Sequence, residues 1–157
     1  MRTNWMFGGV YGTVLASALL AALQQDGARY TPYYDAAWIL VTAVCAAAIH
    51  GYAHHMSTHV YDTAAHRWRQ LALTLRDEWP VVVAVLPTVG LLALSGAAGW
   101  HGEPATTAGL MLNAALLAGW GTFAALRVGY QRRGAILVGA ADAAVGLLIA
   151  VANAVIK

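Results

Sequence analysis

Between Ile49 and His59 the chain reads IHGYAHHMSTH, which gathers four of its six histidines. Imidazole gains and loses a proton near neutral pH, at about 6.5 in water, and is a common ligand of transition metals. On a helix, residues four apart share a face. His50 and His54 therefore form one pair and His55 and His59 a second, with Asp62 and His66 continuing the second face. Three chemistries fit that spacing: a metal site, a proton-handling site, or a polar helix end wetted at a membrane surface.

The elements that carry these residues follow from composition. The 157 residues are 60% hydrophobic and 10% charged, where globular chains carry about 25% charged residues. So few charges cannot cover a soluble domain, and the chain reads as an integral membrane protein, all-α, in a single domain spanning 1–157. A net charge of +2 gives no argument for nucleic acid, and no CxxC, GxSxG or phosphate-binding glycine loop is present. Cys45, the only cysteine, excludes an intrachain disulfide.

A spanning helix needs about 20 mostly apolar residues. Five stretches meet this, at 7–25, 36–57, 80–100, 105–126 and 134–156. The first is longer than a signal-peptide core and ends in a poor cleavage motif, so it counts as a helix. With the N-terminus inside, seven of the nine Lys and Arg residues fall on cytoplasmic segments, leaving only Arg29 and Lys157 outside. By the positive-inside rule the expectation is a multi-pass protein of the cell (inner) membrane, N-terminus cytoplasmic and C-terminus outside. Trp5, Trp79 and Tyr130 would mark the inner interface, and Tyr33, Tyr34, Trp38 and Trp100 the outer one. Within 59–79, Trp68, Leu71, Leu75 and Trp79 recur at helical spacing beside Arg67, Arg69 and Arg76. That pattern predicts an amphipathic cytoplasmic helix drawn to anionic lipid.

Depth sorts the candidates. With the second helix ending near Ser57, His50 lies about 10 Å inside the membrane. An imidazole there needs a partner or water. His55, His59 and His66 fall at or beyond the interface and read as a wet helix end. Asp142, about 12 Å in from the start of the fifth helix, stands at the depth of His50 and is its expected partner. Glu78 waits at the inner edge near His54. Tyr11 and Thr13, Thr88 after the kink-prone Pro87, and Gly119, Trp120, Gly121 and Thr122 share that layer. The outer half offers Thr42, Ser95, Asn113 and Asn153 and nothing titratable. The expected site is a polar pocket in the cytoplasmic half, with His50, His54, Asp142 and Glu78 on a proton or ion pathway. Tyr11, Pro87, Thr88, Trp120 and Thr122 would line or hinge it.

The pattern His-x-x-x-His-His at 50–55 is similar to one histidine box of membrane di-iron hydroxylases and desaturases, but the further boxes are missing. A mononuclear site from His50, His54 and Asp142 or Glu78 would suit Zn or Fe. Gly8, Gly12 and Ala16, and again Gly139 and Ala143, form small-residue ridges that allow close helix contact and a homo-oligomer or a membrane partner subunit.

His50-Gly51-Tyr52-Ala53-His54, the run Leu75-Arg76-Asp77-Glu78-Trp79-Pro80 and Pro87 together resemble a family of small polytopic membrane proteins of actinobacteria, over most of the chain. The resemblance implies the same helical bundle and attention to His50, His54, Glu78 and Pro87; it carries no activity. Three functions follow. The first is proton- or ion-linked transport or permeation with no cofactor. The second is a non-catalytic accessory or structural subunit. The third is a membrane-embedded, metal-dependent enzyme on an apolar substrate.

Overall fold

A computed structural model describes residues 2–23, 32–58, 64–100 and 103–156. They form six helices: α1 (Arg2–Leu23), α2 (Pro32–Thr58), α3 (Ala64–Asp77), α4 (Trp79–Ala97), α5 (Glu103–Val128) and α6 (Arg132–Ile156). Five of the helical stretches are long and apolar enough to cross a membrane, the third of them running from Trp68 through α4. The chain is an all-α, multi-pass membrane protein. The starts of α1, α4 and α6 and the ends of α2 and α5 gather at one end of the bundle, called here the near end. The ends of α1 and α4 and the starts of α2 and α5 lie at the far end.

Helix boundaries follow local chemistry. Pro80 lacks an N–H and its ring blocks continuation from the preceding turn, so α3 stops at Asp77 and α4 begins at Trp79 with Glu78 as its cap residue. The break is short: Glu78 N–H still donates to the Leu75 carbonyl at 3.3 Å, and Val81 N–H to the Glu78 carbonyl at 3.1 Å. At the other end of α4, and again after α5, a glycine takes the left-handed conformation, Gly99 at φ 75° and Gly129 at φ 97°. Each is followed by a closing bond typical of helix C-termini, Trp100 N–H to the Ser95 carbonyl at 2.8 Å and Tyr130 N–H to the Ala125 carbonyl at 3.0 Å.

The core lies between α1, α2, α4 and α5, where Ala16, Leu20, Ile39, Ala43, Val85 and Leu92 are sealed together. Small residues set the spacing, since helices in lipid gain by packing closely rather than by escaping water. Gly8 and Gly12 press α1 on Pro80, Val81 and Ala84 of α4. Gly9 carries the Trp120 ring of α5. Gly139 and Gly146 press α6 on α5. The ridge expected from Gly8, Gly12 and Ala16 is therefore an internal contact, and all three are buried. On α6 the close-contact pair is Gly139 with Gly146, while Ala143 stays half-buried.

Exposed aromatics ring both ends. Trp5, Trp68, Trp79 and Tyr130 do so at the near end, and Tyr33, Tyr34, Trp38 and Trp100 at the far end. Arg69, Arg76, Arg127, Arg132 and Arg133 are exposed at the near end. The Arg127 guanidinium lies 5.0 Å over the Phe123 ring. Within the expected segment 59–79, Ala64–Asp77 form α3, which packs on the end of α2 through Leu75 and Gly51. His59, Asp62, His101, Arg29 and Lys157 lie outside the described residues.

Candidate functional site

The buried stripe of α2 is Asp35, Ile39, Ala43, Ala47, Gly51 and His55, one residue every four. This corrects two expectations. His55 is 5% exposed and sits inside, not on a wet helix end. His50 and His54 lie one position off the stripe and are exposed. The register is set by Ala43, Ala47 and Gly51, whose small side chains let α4 and α3 approach. A Cβ on Gly51 would stand 3.1 Å from Leu75 Cδ2 and 3.4 Å from Glu78 Cγ.

That approach creates an ion pair between α2 and the start of α4. His50 Nε2 lies 3.8 Å from Glu78 Oε1, with the His50 side chain 48% exposed and that of Glu78 11% exposed. The pair forms only when His50 is protonated. The Phe7 ring sits 5.6 Å from the imidazole at 33° and stacks on Tyr11 at 5.7 Å. Phe7 thus covers one face of His50 with apolar surface, and Tyr11 carries a hydroxyl beyond it. His54 stands one turn away, exposed, its carbonyl accepting from the Ser57 and Thr58 hydroxyls at 2.8 Å each.

Asp142 does not join them. α6 packs on α5 and α1, whereas α2 packs on α4, α3 and α1. The Asp142 carboxylate lies directly on Gly121, where any side chain would displace it. Thr122 packs its hydroxyl against Gly139 in the same seam. His50, His54 and Asp142 are therefore not one cluster. Among the described residues no three His, Cys, Asp or Glu side chains stand close enough to hold a metal ion.

The buried polar groups run elsewhere. Thr88 is fully buried and its hydroxyl donates to Asn113 Oδ1, across α4 and α5. Thr13 and Ser17, also buried, bond back along α1 to the Gly9 and Thr13 carbonyls at 2.7 and 2.9 Å. Thr88 and Ser95 are seven residues apart on α4, and Thr106 and Asn113 seven apart on the antiparallel α5. With Thr88 joined to Asn113, Ser95 and Thr106 fall at a matched height about 10 Å further toward the far end. Both are at most 5% exposed. Asp35, at 3% exposed, belongs to that end as well. The hydropathy of the sequence starts this helix at Ala36 and leaves the far half without a titratable group, whereas α2 begins at Pro32 and takes in Asp35. Pro32 opening the helix with an acid in its first turn was the available signal.

Pro87 is exposed on α4, and its missing N–H leaves the Val83 carbonyl without its helical donor. Trp120 is half-buried on Gly9. No protein-family model, no curated protein and no solved structure matches this chain.

Proposed function

We propose that this multi-pass protein moves protons, or an ion coupled to them, across the cell membrane, with the near end cytoplasmic. The observation that carries this reading is the His50–Glu78 pair at 3.8 Å, set at the head of the buried hydroxyl and amide groups Thr13, Ser17, Thr88, Asn113, Ser95 and Thr106. A carboxylate and an imidazole that close by somewhat under ~1 Å, or take one water between them, can pass one proton between them and out to His54 at the exposed end of α2. Asp35 takes the corresponding place at the far end. Val85 and Leu92 separate the polar groups, so transfer requires water to enter between helices. Pro87 weakens α4 where that opening is needed. Asp142, held in the α5–α6 seam, stands outside the pathway.

The test is proton uptake by proteoliposomes carrying an internal pH dye under an imposed membrane potential. Wild-type vesicles take up protons faster than empty ones, and Glu78→Gln and His50→Ala lower the rate at least about tenfold. Wild-type uptake equal to that of empty vesicles overturns the proposal.

One observation favours a second reading, an accessory subunit. His50 and His54 both lie on an exposed face of α2 inside the span, where a partner helix would satisfy them better than lipid does. On that reading His50→Ala leaves no flux to lose and instead releases a copurifying membrane partner.

A further inference from the structure

The α5–α6 pair is closed along most of its length and open at the far end. Gly121 and Gly139 hold the helices in contact, and Gly146 does the same one layer further, its added Cβ falling 3.1 Å from Ala114 Cα and 3.1 Å from Leu117 Cδ1. Past Gly146 α6 carries no further glycine. There the helices part around a cleft of about 350 Å³.

The cleft is graded. Its rim holds Glu103, Thr107 and Asn153, and its walls below are Met111, Leu147 and Val151. Glu103 is the ionisable group of its described lining and is exposed. Asn153 Oδ1 is sealed from solvent and accepts no hydrogen bond from any described residue. A buried amide oxygen left without a donor costs about 1–3 kcal/mol, so the atom marks a place where a donor belongs. Both rim groups, carboxylate and amide oxygen, are acceptors. From Glu103 to Met111 the wall runs about 12 Å down α5, enough for a stretch of acyl chain. The exposed Trp100 and Trp38 put this rim at the level of an aromatic belt, where lipid headgroups sit.

We infer that the far-end cleft between α5 and α6 is a lipid site selective for a phosphatidylethanolamine-type head. The primary ammonium donates to the Glu103 carboxylate and, with the Asn153 side chain turned toward the cleft, to Asn153 Oδ1, and one acyl chain lies along Met111, Leu147 and Val151. Choline heads carry the charge without an N–H to donate, and glycerol heads offer neutral hydroxyl donors but no cation to offset the phosphate charge beside Glu103. The expected order is therefore ethanolamine over choline over glycerol.

The experiment is native mass spectrometry of the full chain in detergent, titrated in parallel with dioleoyl phosphatidylethanolamine, phosphatidylcholine and phosphatidylglycerol. Wild type retains one ethanolamine lipid about tenfold more tightly than either competitor, the scale of one charge-assisted hydrogen bond. Glu103→Gln brings the ethanolamine and glycerol lipids to within about threefold of each other. Asn153→Leu narrows the gap between ethanolamine and choline. Ala150→Phe, which fills the cleft, removes the tight lipid altogether. Equal retention of the three lipids by wild type overturns the inference, as does an ethanolamine preference that survives Glu103→Gln. Glu103 is at the exposed rim, so that variant decides the matter even where Ala150→Phe fails to fold.

Discussion

Substituting Gly8 and Gly90 by alanine makes the same chemical change in two helices and should have opposite effects. A Cβ at Gly8 would stand 2.6 Å from Pro80 Cβ and 2.9 Å from both Pro80 C and Val81 N. Apolar carbons rest about 3.5–4.0 Å apart, so α1 must retreat by about 1 Å. The obstacle is a proline ring and backbone in the first turn of α4, and neither can rotate away. Retreat also loosens the Gly12 contact, where an added Cβ would be 2.8 Å from Ala84 Cβ. Overpacking of this kind costs about 1–3 kcal/mol. Alanine returns about 0.5–1 kcal/mol of helix propensity, which leaves Gly8→Ala less stable by about 0.5–2 kcal/mol. At Gly90 nothing lies within 4 Å of the added Cβ. Gly90→Ala keeps the propensity gain and is neutral or stabilising by up to about 1 kcal/mol. Equilibrium unfolding in mixed micelles of rising SDS mole fraction, followed by far-UV circular dichroism and tryptophan fluorescence, separates the two. Equal midpoints, or a Gly8→Ala protein the more stable, would show that α1 and α4 are not in contact at their starts.

Three further outcomes are expected. Glu78→Gln changes stability by only about 0.2–1 kcal/mol, because the His50 partner is half-exposed and such pairs contribute little, while proton uptake falls at least about tenfold; a large stability loss with normal uptake would reverse the roles. Thr88→Val alone leaves Asn113 buried with neither amide atom bonded and costs about 1–3 kcal/mol, whereas Thr88→Val with Asn113→Leu recovers most of that loss. A thermal-melt double-mutant cycle measures it, and additive losses would refute the pairing. Cys45 is exposed at mid-span, so in intact vesicles a membrane-impermeant maleimide leaves it unmodified and reacts after SDS unfolding, as mass spectrometry would register; rapid labelling in vesicles would place α2 beside water.

The spans were legible because the bilayer imposes them: about 20 apolar residues per crossing leave little freedom, and 80–100 against α4 at Trp79–Ala97 differs only at its ends. The rotation of each helix was harder. Reading α2 by polarity turned His50 and His54 inward. Reading it by size would have found Ala43, Ala47 and Gly51 four apart and turned His55 inward instead, because lipid-embedded helices bury what packs closely rather than what is least polar. One residue of rotation is about 100° on a helix, enough to carry an imidazole from the core to the surface. Glu78, which depth sets near His54, is the partner of His50 because Gly51 lets its helix come near. Asn113, which the sequence places in the outer half with nothing titratable beside it, meets Thr88 of the inner layer in a buried hydrogen bond.

Asp142 shows the same distinction between depth and direction. At the depth of His50 it had been the natural counter-charge, yet direction follows its neighbours on α6. Gly139, Asp142 and Gly146 lie three and then four residues apart, on the single face that meets α5. The carboxylate must therefore rest on Gly121, and only a glycine fits beneath it. Leucine shares the branched γ carbon of aspartate but carries methyls bulkier than carboxylate oxygens, so Asp142→Leu overpacks the seam over Gly121 at a cost of about 1–3 kcal/mol. Against that, it removes a group whose insertion at mid-membrane costs about 2.5–3.5 kcal/mol. Asp142→Leu is accordingly expected to be at least as stable as wild type in the SDS titration and to retain proton uptake. Loss of uptake in a well-folded Asp142→Leu protein would return Asp142 to the pathway and require α6 to turn toward α2 during transport. Loss of stability greater than the overpacking explains would mean that the carboxylate itself holds the seam.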